Sequence, residues 1–134
     1  MKVYAVIDTN VFVSALLTRN AESAAAKVLG ALFGRKITPL YNEDIIREYI
    51  EVLHRGKFAF PEEDVDKILN TVKTMGVLTD REDSGEQFPD PDDAVFYEVA
   101  LSKEGAFVVT GNLKHFPHKP IVVTPAEMLE ILGI

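Results

Sequence analysis

The sequence predicts an α/β protein, a three-layer α/β/α sandwich built on a mostly parallel central sheet. Three observations carry that expectation. Short runs rich in β-branched residues, such as Val3–Ile7 and Ala106–Thr110, have the length and unbroken apolar character of strands covered on both faces. Longer stretches between such runs place apolar residues at helical spacing. The two kinds alternate along the chain, and such alternation yields parallel strands joined by right-handed crossovers, with helices on both faces of the sheet.

Each element has its own justification. Asp8, Thr9 and Asn10 follow the first strand, and any of them can cap a helix over Asn10–Leu17. Glu22–Phe33 is rich in Ala and Leu, with Ala25, Val28, Leu29 and Leu32 on one face and Gly34 as its stop. Lys36–Tyr41 reads as a second strand, interrupted or edged by Pro39. Asn42 caps a third helix whose apolar side carries Ile45, Ile46, Tyr49, Ile50 and Leu53. Pro61 and the acids Glu62, Glu63 and Asp64 open a fourth, since proline suits an early position and acids suit the positive first turn. Its stripe is Val65, Ile68, Leu69, Val72 and Met75, and Gly76 ends it before a short strand, Val77–Thr79.

Residues 80–89 are the most loop-like stretch. A well-signalled helix follows: Asp90 caps, Pro91 takes the first position, Asp92 and Asp93 fill the first turn, and Gly105 closes it. Ala106–Thr110 is a strand ending at Gly111 and Asn112, Ile121–Thr124 is the last strand, and Pro125 starts a C-terminal helix.

The totals limit the function classes. With 134 residues, 47% hydrophobic and 26% charged, residues 1–134 read as a single folded domain. The absence of cysteine excludes a disulfide framework and a thiolate metal site. No apolar run is long enough to span a bilayer, and Met1-Lys2 leads into the first strand without a signal pattern. These features point to a cytoplasmic protein without a membrane partner. The formal net charge of −7 does not suit a general nucleic-acid binder, because phosphate affinity comes from Lys and Arg. It does suit a protein that collects cations. A phosphodiester substrate would need bound metal for part of the positive charge, and local basic residues or a second subunit for the rest.

In open α/β sheets, sites lie beyond the carboxyl ends of the strands. Asp8 directly follows the first strand and Asn112 directly follows the "FVVTG" stretch, which puts both on one edge. Asp93, in the first turn of its helix, can point to the same edge. Glu48 reaches it if its helix crosses there. Carboxylates converging from separate elements suit a hard divalent ion, and such an ion can polarise a phosphoryl oxygen and generate hydroxide.

Four segments, "VIDTNVFVSAL", "REYIEVLHR", "DPDDAVFYEVAL" and "FVVTGNLKHF", resemble the ordered motifs of PIN-domain ribonucleases over nearly the whole chain. The appearance is most similar to the VapC-related toxin components of toxin–antitoxin pairs. The resemblance implies a PIN-like fold and Mg2+- or Mn2+-dependent cleavage of RNA. It implies Asp8, Glu48 and Asp93 as the catalytic acidic cluster and metal ligands, with Asn112 as a fourth metal-side group. Asn10, Thr110 and Asp90 would be supporting polar residues. It also implies a homodimer and a cognate antitoxin that inserts a basic side chain among the acids. Asn112 departs from the family pattern, in which an acid commonly follows the glycine. A neutral oxygen can still serve a metal or water, but the lost charge puts a second metal in doubt.

Plainer readings stand beside these. Asp8 and Asn10 can be helix caps only, and Asp90, Asp92 and Asp93 suit a helix start without any metal. Glu48 can be a solvated residue paired with Arg47 or Arg55. His54, His115 and His118 lack metal-ligand spacing and read as surface residues, and Lys114 and Arg55 as solvated charge that can reach phosphate. An alternative function is a degenerate PIN-like module that binds RNA or a protein partner without cutting. A phospho-acceptor signalling domain needs an acidic pair near the first strand, where this chain offers Asp8 alone.

Overall fold

A computed structural model describes residues 2–134. Five parallel strands form the sheet: β1 (Tyr4–Ile7), β2 (Thr38–Tyr41), β3 (Val77–Leu78), β4 (Phe107–Val109) and β5 (Val122–Val123). Their spatial order is β3-β2-β1-β4-β5. The helices are α1 (Thr9–Leu17), α2 (Ala24–Phe33), α3 (Glu43–Leu53), α4 (Glu62–Met75), α5 (Ala94–Leu101) and α6 (Pro125–Leu132). α5 packs on β1, β2 and β4, α4 packs on β2, and α2 packs against both α1 and α6. This is the layered α/β sandwich expected from the alternating pattern, and its sheet is wholly parallel. No helix among the described residues is long and apolar enough to cross a membrane.

β1 is the centre of the topology. It pairs with β2 on one side (Ala5 with Pro39) and with β4 on the other (Ile7 with Val109). The chain moves outward from β1 to β2 and β3, then returns to the far side for β4 and β5. The order therefore reverses between β1 and β4, and a crevice opens beyond the carboxyl ends of those two strands.

Pro39 lies inside β2, an interior strand, and neither interrupts nor bounds it as expected. Thr38 N–H donates to Val3 O at 2.8 Å, so the N–H of Thr38 faces β1. Successive N–H groups alternate in direction, so the donor that proline lacks would have faced β3. Pairing with β3 accordingly begins one residue later, at Leu40 with Val77. Gly76 stands at this point. A Cβ there would lie 2.3 Å from Val72 O and 2.6 Å from Pro39 O, so only glycine lets α4 turn so closely into β3.

Several boundaries differ from the sequence reading. The last two strands shorten to Phe107–Val109 and Val122–Val123. Asp90 caps a single 3-10 turn, Pro91–Asp93, and α5 proper starts at Ala94 and ends at Leu101, before Gly105. α2 starts two residues later than expected because the Ser23 hydroxyl accepts from Ala26 N and fixes its start. Asn42 caps α3 through Ile45 N as expected, and α6 carries a full capping box between Thr124 and Glu127.

The core places three aromatic rings beneath the crevice. Phe12 of α1, Tyr49 of α3 and Phe96 of α5 are each about fully buried, at 1% exposure. Phe12 meets Tyr49 edge-on at 5.0 Å between centroids, and Tyr49 lies 6.2 Å from Phe96. Each ring is close in sequence to an acid: Phe12 to Asp8, Tyr49 to Glu48, and Phe96 to Asp93. Packing of this kind contributes about 0.5–1.5 kcal/mol per aromatic pair beyond area burial. It fixes the relative position of the three elements that carry the carboxylates.

Candidate functional site

Asp8 is the first residue past β1, and its N–H donates to Val109 O at 2.9 Å. It holds the cap position of α1, yet its side chain makes no capping hydrogen bond. Instead its Oδ2 accepts from Thr110 Oγ1 at 2.8 Å and from Asn10 Nδ2 at 3.0 Å. The carboxylate is 6% exposed. A buried acid turned away from the helix N-terminus is a poor cap, so the plain reading of Asp8 fails. Burial raises its pKa against the Thr110 bond, and the negative charge of Glu48 raises it further.

Asn10 and Thr110 lock the loop after β1 to the loop after β4. Asn10 Oδ1 accepts from Gly111 N at 3.2 Å, and Thr110 Oγ1, wholly buried, accepts from Asn112 N at 3.0 Å. Both residues thus hydrogen-bond the Asp8 carboxylate.

Glu48 reaches the crevice from the middle of α3. Its Oε2 accepts from Thr9 Oγ1 at 3.3 Å. The ion pairs sometimes made by solvated helix residues go elsewhere: Arg47 bonds Asp44 at 2.8 Å and Arg55 bonds Glu51 at 3.2 Å. Burial raises the Glu48 pKa, and the charges of Glu51 and Asp92 add to the rise. The adjacent Tyr49 donates its hydroxyl to Ile7 O at 2.5 Å, which ties α3 to the last residue of β1. Its phenol is held well above the usual range by burial and by Asp8 and Glu48, so it stays a donor.

Asp93 comes from the 3-10 turn ahead of α5. Burial, then the charges of Asp8 and Asp90, push its pKa up to about 6. His115 Nδ1 stands 3.6 Å from Asp93 Oδ2 and partly offsets that charge. Asp90 spends its Oδ1 on Asp92 N at 3.0 Å, so its capping role is real although it also borders the crevice. Asn112 borders the crevice as an exposed residue held by its backbone.

The result is an open cleft of about 390 Å³ whose walls include Asp8, Glu48, Asp93, Asn112, Arg55 and His115. Every acid assigned from the sequence borders it, and Thr110 lies behind Asp8. Two residues were missed. Thr9 was read only as a candidate cap, but its hydroxyl meets Glu48 from 39 residues away. His115 is exposed as expected, yet it faces Asp93 across the cleft. Neither contact has a local sequence signature.

The fold and the cleft define an α/β protein with an acidic site at the switch point of a parallel sheet. A family profile described as PIN domain matches residues 4–114, and the chain belongs to that family. PIN domains are usually nucleases, and those nucleases generally use divalent metals. An uncharacterized protein of Methanocaldococcus jannaschii, MJ1680, is 30% identical over 115 residues, which cover 84% of this chain and 72% of the relative. No solved structure matches the chain at comparable stringency.

The donor set fits a hard cation, since carboxylates are the oxygen ligands such ions take. Among the described residues, no three His, Asp or Glu groups are gathered closely enough to chelate an ion as they stand. The cleft is thus an open acidic cluster rather than a closed cage.

Proposed function

We propose that residues 1–134 form one PIN-like unit that acts as a Mg2+- or Mn2+-dependent endoribonuclease. The observation that carries this is the convergence of Asp8, Glu48 and Asp93, from three separate elements, on one cleft with their pKa values raised together. Asp8, Glu48 and Asp93 would hold the ion, with Asn112 offering a neutral oxygen at the rim. When bound, a divalent ion offsets the clustered charge, polarises a phosphoryl oxygen and acidifies water.

The chain's own residues do the rest. Thr110 and Asn10 hold Asp8 Oδ2, and Thr9 holds Glu48 Oε2, so the carboxylates are oriented before any ligand arrives. His115 sits where it can balance Asp93, and Arg55 is a cation on the wall for a phosphate. In the proposed hydrolysis, water adds to phosphorus and one P–O bond breaks. The leaving oxygen takes up a proton, and no side chain becomes covalently attached.

Motif order supports a VapC-like toxin role, with a cytoplasmic setting, a homodimer and a cognate antitoxin as its corollaries. Co-expression with the neighbouring reading frame tests that role, and relief of growth arrest is the expected result. The nuclease reading is tested with purified protein and mixed RNAs, with Mn2+ or with EDTA. Cleavage should need the metal, and Asp8→Asn should abolish it while thermal unfolding stays cooperative. Full cleavage by Asp8→Asn would sink the assignment. A second reading, a PIN-like module that holds RNA or a protein without cutting, draws on the uncaged acids and on Asn112. Metal-independent RNA binding with no cleavage would favour it.

A further inference from the structure

Phe58 lies in the turn between α3 and α4 and borders the same cleft as Asp8, Glu48 and Asp93. It is half-buried, but unlike Phe60 it does not pack against the hydrophobic core. Its ring lies on that of Phe60, 5.0 Å between centroids and 8° from parallel. Ala59, between them, is in the left-handed region at φ 51, a conformation that costs a non-glycine residue about 1–2 kcal/mol. A type of turn that stacks two rings by straining an alanine is not explained by core burial, since one of the rings contributes little to the core.

Two cations, Arg55 and Lys57, lie beside Phe58 at the rim of the acidic cleft. Lys57 Nζ stands over the Phe58 ring, 5.2 Å from its centroid, an exposed cation–π contact that an incoming base would displace. Arg55, on the cleft wall, pairs only at the surface with Glu51 at 3.2 Å, a contact that contributes little and yields readily to phosphate. An aromatic ring backed by Phe60, covered only by a mobile lysine ammonium and set with Arg55 beside a candidate phosphodiester site, offers the stacking surface and the backbone cations that single strands use. Isolated exposed aromatics are common and need no explanation. This one is backed, strained into place and bordered by cations.

We propose that Phe58 is a stacking platform for an unpaired nucleobase close to the scissile phosphate, with Phe60 as its support and Arg55 and Lys57 as backbone contacts. The assignment rests on the nuclease reading for its substrate class and deepens it by naming the side chain that contacts a base beside the scissile phosphate. A duplex keeps its bases stacked on each other and cannot offer a free face.

The test uses a short labelled single-stranded oligoribonucleotide of mixed sequence, with Ca2+ in place of Mn2+, and fluorescence anisotropy. Phe58→Ala should weaken binding about tenfold, and Phe58→Trp should keep it. Moving one abasic site along the oligonucleotide should reveal a position that weakens wild-type binding but not that of Phe58→Ala. The chain has no tryptophan, so the indole introduced by Phe58→Trp reports alone. Its emission should be quenched by the intact oligonucleotide and not by the one abasic at that position. Unchanged binding by Phe58→Ala, or no quenching in Phe58→Trp, overturns the platform. Should Phe58→Ala unfold, the quenching experiment decides. The two readings fail separately. Base-dependent binding without cleavage in Mn2+ keeps the platform and sinks the nuclease. Cleavage by Phe58→Ala at wild-type KM keeps the nuclease and sinks the platform.

Discussion

The hydroxyl of Tyr49 donates to the main-chain carbonyl of Ile7 at 2.5 Å, joining the residue after Glu48 to the residue before Asp8. Two carboxylates 40 positions apart in sequence are thereby set by one buried hydrogen bond and by the ring packed between Phe12 and Phe96. Tyr49→Phe keeps the ring and removes the donor. It should lower stability by about 1–3 kcal/mol, the cost of stranding a buried acceptor. Metal-dependent cleavage should fall further than stability explains, because Glu48 loses its tie to β1. Chemical denaturation and cleavage rates on one preparation check this. Unchanged values of both would show the bond to be incidental.

Asp93 sets the response to pH. Its ordinary carboxyl value is 3.8 and its folded value is about 6, so the folded chain binds the extra proton between them. Stability should therefore decline as pH rises from about 4 to about 6 and level off above. Asp93→Asn should make that decline shallower, leaving the part that Asp8 and Glu48 contribute. The position is partly open to solvent, so screening reduces the effect, and the variant should gain about 1 kcal/mol at pH 7. Melting temperature against pH for both proteins provides the test, and an equal slope in the two would contradict it. Added Mn2+ should stabilise the wild type more than the variant.

Thr110 is the buried partner of Asp8, and its bond opposes the upward pull of burial on that acid. Thr110→Val retains the shape and loses the bond. The Asp8 carboxyl should then hold its proton to higher pH, and the acid limb of the cleavage profile should move upward. A bond to a charged group contributes about 1.5–3 kcal/mol, so a loss of tenfold or more is expected on that limb. A profile merely scaled down, without displacement, would point to a packing role alone.

Glu98 is a structural acid that the sequence does not reveal. It lies in α5 at 7% exposure, and accepts from Arg81 Nε at 2.5 Å and from Ser84 N and Oγ at 2.9 Å each. Burial raises its pKa, but the Ser84 and Arg81 contacts outweigh burial and hold it below the ordinary value. Its contribution is present above the unfolded value of 4.5 and is lost as pH falls through the lower folded value. Glu98→Gln should cost about 1–2 kcal/mol at neutral pH, and proteolysis within residues 80–89 should quicken. Equal protease resistance would show that the loop is held by other means.

Much of the frame was legible in the chain. The alternation of β-branched runs and helical stripes gave the parallel sheet, because a strand covered on both faces has to be apolar throughout. Asn42, Gly34, Gly76 and Pro125 marked helix ends because capping chemistry is local. Pro39 was read as interrupting or bounding β2, and it does neither. A missing donor matters only toward the neighbour it would have faced, and that neighbour is chosen by topology. The helix around Asp93 was placed correctly, but its opening turn is 3-10, a distinction the capping residues do not encode.

The sequence by itself determined the α/β class and the family, because each depends on short-range pattern or on motif order. Tertiary structure alone decided that Asp8 bonds Thr110 rather than capping α1, that Thr9 meets Glu48, that His115 faces Asp93, and that Phe58 borders the cleft. The reason is physical. Side-chain partners 22 to 102 residues apart are brought together by the reversal of strand order at β1, and no local propensity records that reversal.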